Sequence, residues 1–314
     1  MARKAGFHHL ARAADLVTPY ENIRTGFVRL ALEKGRRASP YVAQARDLAA
    51  RLSSITDARA LADFGDIRGA LLTAAGLSDK AAGHVDEKAA YEAIARFIET
   101  YLVPAGSSFR EETVYRFLLT RGDALGGSMR NVAGQLALAR FAESLMARLA
   151  NAGLAHEWHD GRQWRTGMPV DPMQIRRFYW RSQNQPRILL INASIPIVGK
   201  NVDIALLAAD RHENAWRGLL RQPRIYLSLG ELKGGIDPAG ADEHWKTGRT
   251  SLERIRQAFS DAGHSPALFF IGAAIESAMA AEIWRMLKGG MLNNAANLTV
   301  DAHMASLCDW LIRL

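Results

Sequence analysis

Cysteine is almost absent from this sequence of 314 residues, which contains one, Cys308. A single cysteine excludes an intramolecular disulfide and is typical of proteins in a reducing cytosol. Because Cys308 lies in an apolar segment, we expect a small buried side chain rather than a reactive thiol. The sequence also lacks the spacings of a zinc finger, a Walker phosphate-binding loop and a serine nucleophile elbow. These absences exclude zinc-finger proteins, P-loop nucleotidases and serine hydrolases of the nucleophile-elbow type.

A long hydrophobic run is missing as well. The longest apolar stretch, from Ala267 to Trp284, contains Glu276 and Glu282 and divides into a strand-like half and a helix-like half. It is therefore not expected to span a membrane. The N-terminal residues carry charges with no apolar stretch behind them, so a signal peptide is not expected either. We expect a soluble protein of the cytoplasm.

Acidic residues are outnumbered, with 32 Asp and Glu against 40 Lys and Arg, which gives a formal net charge of +8. A basic excess favours a polyanionic partner, because Lys and Arg release condensed counterions when they bind phosphates. Many basic proteins bind no nucleic acid, so the charge alone does not decide the matter. The chain is 48% hydrophobic, which is enough for a sizeable core.

The first half of the sequence has the periodicity of helices. Between Tyr20 and Lys34 apolar residues recur every three to four positions, which predicts an amphipathic helix. Ser39-Pro40 predicts the start of a second helix, with serine as the cap and proline in the first turn. Further amphipathic stretches run from Glu87 to Leu102, from Ser107 to Leu119 and from Asn131 to Ala150. Residues 1–150 are thus predicted to form a mainly helical region.

The second half changes to short apolar runs bounded by turn residues, which predict strands of a mostly buried sheet. These runs are Arg187–Asn192, Val202–Leu207, Ile225–Gly230 and Ala267–Gly272. Helical periodicity follows in His244–Ala262, Ile275–Leu287 and Ala302–Leu314. Residues 151–314 are therefore predicted to form an α/β core. The absence of a low-complexity linker is compatible with one continuous body for both regions.

Charged residues interrupt one predicted strand and directly follow another. Asp203 lies within the run Val202–Leu207, whereas Glu231 and Lys233 follow the run that begins at Ile225. Residues two apart on a strand point to the same face, so Glu231 and Lys233 are expected side by side. If the two strands pair, Asp203 reaches the same place. The result is the pattern Asp…Glu-x-Lys.

This set of residues has the chemistry for phosphodiester hydrolysis. The reaction needs an attacking hydroxide and stabilisation of the negative charge that develops on the phosphate. Two carboxylates supply hard oxygen ligands for Mg²⁺, so Asp203 and Glu231 are the predicted metal ligands. The metal acts as a Lewis acid and lowers the pKa of a bound water, while Lys233 orients that water and stabilises charge.

The alternative interpretation of Glu231 and Lys233 is a surface ion pair at a strand end. Glu-x-Lys is a common pattern, and a similar Asp-x-Lys at Asp86–Lys88 lies in a polar helix start. The apolar runs around the acids count against an ion pair, because an unpaired charge is costly there. Gly234 and Gly235 also favour a functional site, since another backbone or a nucleic acid can approach them closely.

His244 follows this pattern in a dense polar stretch with Asp242, Glu243 and Lys246. An imidazole in that position can accept a proton from water or bind a phosphate. The alternative is a capping or otherwise satisfied surface histidine.

A glycine-rich segment from Thr120 to Asn131 lies between two predicted helices and carries Arg121 and Arg130. The backbone N–H groups of such a loop can bind phosphate where the loop enters a helix, and arginine can grip a guanine with two hydrogen bonds. A helix–helix turn capped by glycines is an equally good interpretation. Arg121 and Arg130 are therefore candidate DNA-binding residues.

Six segments of the sequence resemble the AvaI/BsoBI group of type II restriction endonucleases. The segment around Glu231 and Lys233 is highly specific for that group, and residues 151–185 resemble it least. The matching segments are Ala31–Lys34, Ala70–Lys80, Val114–Asn131, Leu229–Thr247, Phe270–Glu276 and Asn294–Thr299.

The resemblance implies a PD-(D/E)xK nuclease core, with a mixed central sheet flanked by helices and an added N-terminal helical region. It implies a homodimer that encircles double-stranded DNA and cuts both strands at a CYCGRG-type palindrome with Mg²⁺. Asp203 and Glu231 would be the metal ligands and Lys233 the catalytic lysine.

Three further features follow from the same resemblance. His244 would be an active-site histidine and a candidate general base, and Lys80 and Asp237 fall in segments that resemble base-reading elements. Val202 replaces the proline that usually precedes the first aspartate. A cognate DNA methyltransferase is expected in the same restriction system, though not as a stable complex.

Two other functions share these features. One is a repair or recombination nuclease with the same core that recognises DNA structure instead of sequence. The other is a DNA-binding regulator without catalysis, against which the intact set of Asp203, Glu231 and Lys233 argues.

Overall fold

The computed structural model describes residues 6–169, 171–211 and 216–314. The side chains of Arg130, Trp216 and Arg217 lie outside the described part. Within these ranges, no helix combines the length and the apolar character that a bilayer crossing requires.

Nine α-helices are assigned in the described ranges, and two of them are very long. A single π-helical turn, Ile98–Leu102, continues the fourth, and 3₁₀ turns such as Pro238–Gly240 join other elements. The α-helices are α1 (Tyr20–Leu52), α2 (Arg68–Ala74), α3 (Asp79–Ala82), α4 (Glu87–Phe97), α5 (Phe109–Asn151), α6 (Trp216–Leu219), α7 (Ala241–Asp261), α8 (Ser277–Lys288) and α9 (Asp301–Arg313).

One mixed sheet of eight strands forms the centre of the second half. Its spatial order is β2-β1-β3-β4-β5-β6-β7-β8, antiparallel from β2 to β6 and parallel from β6 to β8. The strands are β1 (His156–His159), β2 (Trp164–Arg165), β3 (Arg177–Ser182), β4 (Gln185–Ile195), β5 (Lys200–Leu207), β6 (Tyr226–Lys233), β7 (Ala267–Gly272) and β8 (Asn294–Asn297). The four predicted strands are confirmed as β4 to β7, and the sequence did not predict the other four.

Helices cover the sheet on both faces, which confirms the predicted α/β class. On one face α7 and α8 pack against the strands through residues such as Ile255, Phe259 and Phe270. On the other face the C-terminal part of α5 and α9 bury Phe141 and Leu311. Each fully buried side chain of this size stabilises the fold by roughly 1.5–3 kcal/mol relative to exposure. Strands buried on both faces read as continuous apolar runs, which is why β4 to β7 were visible in the sequence.

The glycine-rich segment Thr120–Asn131 is neither a phosphate-binding loop nor a helix–helix turn, so both predicted conformations were wrong. It lies inside α5, which continues from Phe109 to Asn151 without a break. Glycine weakens a helix interior by about 1 kcal/mol relative to alanine. Leu125, Met129 and Val132 nevertheless keep one buried face in helical register through the segment. Tertiary packing of that face therefore outweighs the low helix propensity.

The predicted start of a helix at Ser39-Pro40 was also wrong, since α1 runs through Pro40. Proline in a helix interior removes one backbone hydrogen bond and costs about 3 kcal/mol. The C-terminal part of α1 offsets this cost by burying Ala45, Leu48 and Leu52 on one face. Local sequence signals for a helix end were again overridden by packing.

Two compact units can be distinguished in the described chain. The sheet unit contains the described residues up to Phe27 together with Asn131–Leu314, and the helical unit contains Val28–Arg130. The helical unit has its own apolar core, to which α1, α2, α4 and α5 contribute. The predicted division at residue 150 into a DNA-embracing region and a catalytic region stays a prediction.

Candidate active site

The neighbouring strands β5 and β6 bring two carboxylates together. They pair antiparallel with Ile204 opposite Gly230, and one further step of this register places Asp203 opposite Glu231. The Asp203 Oδ2 atom accepts a hydrogen bond of 2.8 Å from the backbone N–H of Leu232. This bond fixes the Asp203 carboxylate against the end of β6.

Lys233 completes the cluster from the same face of β6. Its Nζ atom lies 3.1 Å from Glu231 Oε2 and 4.0 Å from Asp203 Oδ2. The structure thus brings Asp203, Glu231 and Lys233 together, as the two-residue strand period predicts. An ammonium group at these distances contacts both carboxylates at once.

Burial makes this cluster electrostatically unusual. Glu231 is only 3% exposed. Desolvation, followed by the negative charge of Asp203, raises the pKa of Glu231 to about 7, although Lys233 and Arg254 act in the opposite direction. A buried carboxylate beside another carboxylate favours the binding of a proton or a cation. Lys233 therefore neutralises the pair only in part.

Two glycines allow the elements around the cluster to pack closely. A Cβ atom at Gly230 in β6 would collide with the ring of Phe269 in β7. Gly248 lies on the buried face of α7, where a Cβ atom would be 3.5 Å from Lys233 Cε. The helix thus lies against the alkyl chain of Lys233, which restricts the positions open to its ammonium group.

The oxygen donors fit a hard divalent cation with few protein ligands. In the described ranges, no group of three or more His, Cys, Asp or Glu residues is arranged to hold a metal ion. Asp203 and Glu231 remain as a pair of carboxylates whose mutual repulsion a cation would relieve. Mg²⁺ is commonly held by one or two carboxylates and keeps several waters, so this donor set suits it better than a metal that needs a full protein cage.

His244 lies in the first turn of α7, close to the chain that leaves β6. Its ring packs against Gly235, where a Cβ atom would collide with Nε2, and a Cβ at Gly240 would lie 3.5 Å from that atom. Asp237, in the same connection, accepts a hydrogen bond from the N–H of Ala239 and caps a 3₁₀ turn. The two glycines therefore leave room for the imidazole near the site.

The remaining predicted DNA-binding residues lie in the helical unit. Lys80 is exposed in the short helix α3. Arg121 donates a hydrogen bond of 2.5 Å to Asp79 and lies over the ring of Phe117, so it helps to anchor the helix that carries Lys80. Arg130 lies at the boundary of this unit within α5, and its side chain is outside the described part.

Sequence reasoning missed two residues that act on the cluster. Arg254 on α7 favours the charged form of Glu231, and its Nε atom is buried without a hydrogen-bond partner. In the sequence, an arginine next to the apolar positions of a helix looks the same as a solvent-exposed arginine. The sequence pattern therefore did not identify Arg254. Gly248 had a weak signal, because it occupies a buried position of α7 between Trp245 and Leu252.

The raised pKa of Glu231 predicts a pH-dependent stability of the metal-free protein. A carboxyl group whose pKa rises on folding holds its proton more tightly in the folded state. Its contribution to stability is therefore present below pH 4.5 and is lost as the pH rises through about 7. The glutamine in Glu231→Gln cannot ionise. The unfolding free energy of this variant relative to the wild type should therefore increase by about 2 kcal/mol between pH 5 and pH 8. Urea unfolding in the presence of a chelator measures this difference.

Glu253→Gln is the matched control, since Glu253 lies exposed on α7. Surface substitutions of this kind usually change stability by no more than about 0.5 kcal/mol. If the difference in unfolding free energy between Glu231→Gln and the wild type is the same at both pH values, folding does not raise the pKa of this carboxyl.

Comparison with known proteins identifies the family. The family model described as restriction endonuclease BsobI matches residues 7–314. The type II restriction enzyme AvaI of Nostoc sp. is 48% identical over 313 residues, covering 98% of this chain and 99% of that protein, and AvaI of Anabaena variabilis matches equally. The type II restriction enzyme BsoBI of Geobacillus stearothermophilus is 44% identical over 316 residues, covering 98% of each chain. The chain therefore belongs to the BsoBI restriction endonuclease family.

Proposed function

We propose that this chain is a type II restriction endonuclease that hydrolyses double-stranded DNA with Mg²⁺ at a CYCGRG-type palindrome. Family membership supports the enzyme class. The relatives named as type II restriction enzymes match this chain over nearly their whole length. The proposal includes a PD-(D/E)xK core, in which Val202 stands where that pattern usually has proline.

The observation that carries the proposal is the buried carboxylate of Glu231 beside the half-buried carboxylate of Asp203, with Lys233 in contact with both. Two carboxylates side by side are costly where one is buried unless their charges are balanced, and Lys233 supplies one positive charge for two negative ones. A purely structural ion pair would need one carboxylate for one ammonium group. The second carboxylate is explained when the cluster holds a metal ion beside a phosphate.

Hydrolysis adds a water oxygen to the scissile phosphorus and breaks one ester bond, which releases an alcohol and a phosphomonoester. In the proposed site Asp203 and Glu231 would hold Mg²⁺. A bound Mg²⁺ supplies Lewis-acid stabilisation of the negative charge on the scissile phosphate. The Nζ atom of Lys233 donates hydrogen bonds to the attacking water and to a phosphate oxygen, which stabilises charge where it develops.

His244 is proposed to assist this reaction either as a general base or as a phosphate ligand. Its ring lies against Gly235, two residues after Lys233, which supports a position close to the reacting phosphate. As a base it would take the proton of the attacking water, and as a ligand it would donate a hydrogen bond to a phosphate oxygen.

DNA recognition is proposed to involve Lys80, Asp237, Arg121 and Arg130. Lys80 is exposed and its charge suits a base edge or a phosphate, whereas Asp237 suits an amino group of a base. Arg121 already binds Asp79, so we propose that it positions the segment of Lys80 as well as adding positive charge. A cognate methyltransferase that protects the host sites completes the proposed restriction system.

A homodimer is proposed because cutting both strands of a palindrome requires two sites related by a two-fold axis. An apolar stripe on α5 in the helical unit supports a protein interface. Tyr115 is 59% exposed and Leu119 is 72% exposed, and Gly122 and Gly126 follow on the same side of the helix. A Cβ atom at either glycine would meet nothing within 4 Å beyond the neighbouring backbone of its own helix. A second helix could therefore approach this stripe closely.

Replacing Glu231 is expected to separate cleavage from binding. Glu231→Ala should lower the cleavage rate by on the order of 10³-fold or more, because it removes a metal ligand. Specific DNA binding without metal should persist, since the substitution removes a negative charge near phosphates. Plasmid digestion with sequencing of the fragment ends measures the cleavage and its position, and a gel shift measures binding.

Glu253→Ala on α7 is the control and should cleave like the wild type. Cleavage by Glu231→Ala at the wild-type rate would contradict the assignment of the site. Discrete fragments with CYCGRG-type ends are expected from an unstructured duplex. Cutting confined to junctions or flaps would instead indicate a structure-specific repair nuclease.

The apolar stripe predicts the oligomeric state. Leu119→Glu should raise the dimer dissociation constant by at least about 30-fold, because burying a leucine contributes about 2 kcal/mol. Sedimentation velocity measures the state, and Met291→Glu is a control at another exposed apolar residue. A wild-type dimer that survives Leu119→Glu would exclude the stripe as its interface. A wild-type monomer on DNA would contradict the homodimer.

A further inference from the structure

A buried hydroxyl near the start of the chain binds three backbone and side-chain groups at once. Thr18 is 6% exposed. Its Oγ1 atom donates to the carbonyl oxygen of Ala273 at 2.9 Å, and it accepts from the N–H of Ile275 at 2.8 Å and from Asn297 Nδ2 at 2.8 Å. A hydroxyl has one donor and two acceptor positions, so Thr18 uses its whole hydrogen-bonding capacity.

The backbone of Thr18 strengthens the same junction. Its N–H donates to the carbonyl oxygen of Ile275 at 2.9 Å. Asn297 also donates from Nδ2 to the carbonyl oxygen of Leu16 at 2.9 Å, and its Oδ1 accepts from the N–H of Thr299. The N-terminal segment, the turn after β7 and the end of β8 are therefore tied together by polar contacts without water access.

The turn after β7 reaches the proposed catalytic lysine through one backbone hydrogen bond. The N–H of Ala273 donates to the carbonyl oxygen of Lys233 at 2.9 Å. Ala273 is the same residue whose carbonyl oxygen accepts from Thr18. Lys233 is the last residue of β6, and Gly234 and Gly235 follow it. Gly234 and Gly235 have no side chains to hold the strand end, so the hydrogen bond from Ala273 is one of the contacts that fix its position.

Two of the segments that resemble the family contribute to this junction, although neither contains a residue of the proposed chemistry. One is Phe270–Glu276, which contains Ala273 and Ile275, and the other is Asn294–Thr299, which contains Asn297. Both segments meet at the hydroxyl of Thr18. Polar residues fully satisfied inside a core specify one arrangement of the elements that they join.

We propose that Thr18 is a positioning residue for Lys233: its hydroxyl fixes the turn at Ala273 and Ile275, and that turn holds the end of β6 in place. The inference rests on the proposed function, in which Lys233 acts on the phosphate. Displacement of a catalytic group by about 1 Å can slow a reaction by on the order of 10²-fold. Thr18 itself is not expected to touch metal or DNA.

The test compares variants that keep or remove the hydroxyl. Thr18→Val keeps the shape and removes the hydroxyl, Thr18→Ala removes it with less steric demand, and Thr18→Ser keeps it without the methyl group. Thr113→Val is the matched control, because Thr113 is a fully buried threonine of α5 in the helical unit. Enzyme and plasmid DNA are mixed without metal to form the complex, and Mg²⁺ then starts a single turnover.

The single-turnover rate constant separates positioning from stability. Unfolded molecules bind no DNA, so a purely structural role would reduce the amount of complex and leave the rate constant of the bound enzyme unchanged. We expect the rate constant to fall about 10- to 100-fold in Thr18→Val and Thr18→Ala. It should stay within about threefold of the wild type in Thr18→Ser and Thr113→Val, with DNA affinity unchanged in all four.

Three results would contradict the inference. A wild-type rate constant in Thr18→Val or Thr18→Ala would show that the hydroxyl does not position Lys233. Equal losses in Thr18→Ser and Thr18→Val, or in Thr113→Val, would indicate a general packing effect. Lys233→Ala is measured in parallel: if it cleaved at the wild-type rate, the proposed function of Lys233 would fail, independently of Thr18.

Discussion

Two carboxylates on neighbouring strands share one lysine, and the packing around β5 and β6 has to hold all three together. Asp203 and Glu231 face each other across β5 and β6, and Lys233 contacts both. Their like charges repel, and the burial of Glu231 limits how far water screens this repulsion. The fold must therefore hold them against an electrostatic cost, and the close packing at Gly230 and Gly248 holds the neighbouring strand and helix in place. The same cost is what a divalent cation would relieve.

The surrounding elements restrict this cluster from three sides. On one side α7 packs closely enough for Gly248 to face the alkyl chain of Lys233. Beneath it, β7 runs parallel to β6 with the ring of Phe269 filling the space beside Gly230. At the end of β6 the turn containing Ala273 binds the Lys233 backbone. Residues far apart in sequence thus converge on one strand end, which is the rigidity that a hydrolytic site requires.

The sequence predicted the α/β class and the strands of the site, because strands buried on both faces leave continuous apolar runs. It also predicted the face that Glu231 and Lys233 share, because the period of a strand is strictly two. It failed where packing overrides local preference. Pro40 and the glycines of Thr120–Asn131 predict helix ends, yet α1 and α5 continue through them because a buried face persists on the far side.

Other features had no local signal at all. The strands β1 to β3 carry charged and aromatic residues and lie where the resemblance to the family is weakest, and β8 consists of Asn-Ala-Ala-Asn. Asn297 lies in the edge strand β8, where Thr18 binds its side chain. The partners of such polar residues are set by tertiary contacts that no window of sequence contains.

Anomalous X-ray scattering from crystals grown with Mn²⁺ and duplex DNA can show whether the carboxylates of Asp203 and Glu231 hold one divalent cation. We expect a manganese peak within about 2.3 Å of one oxygen of each carboxylate and next to a DNA phosphate. A peak bound to only one of the two acids, or the absence of a peak between them while the DNA is bound, would contradict this expectation.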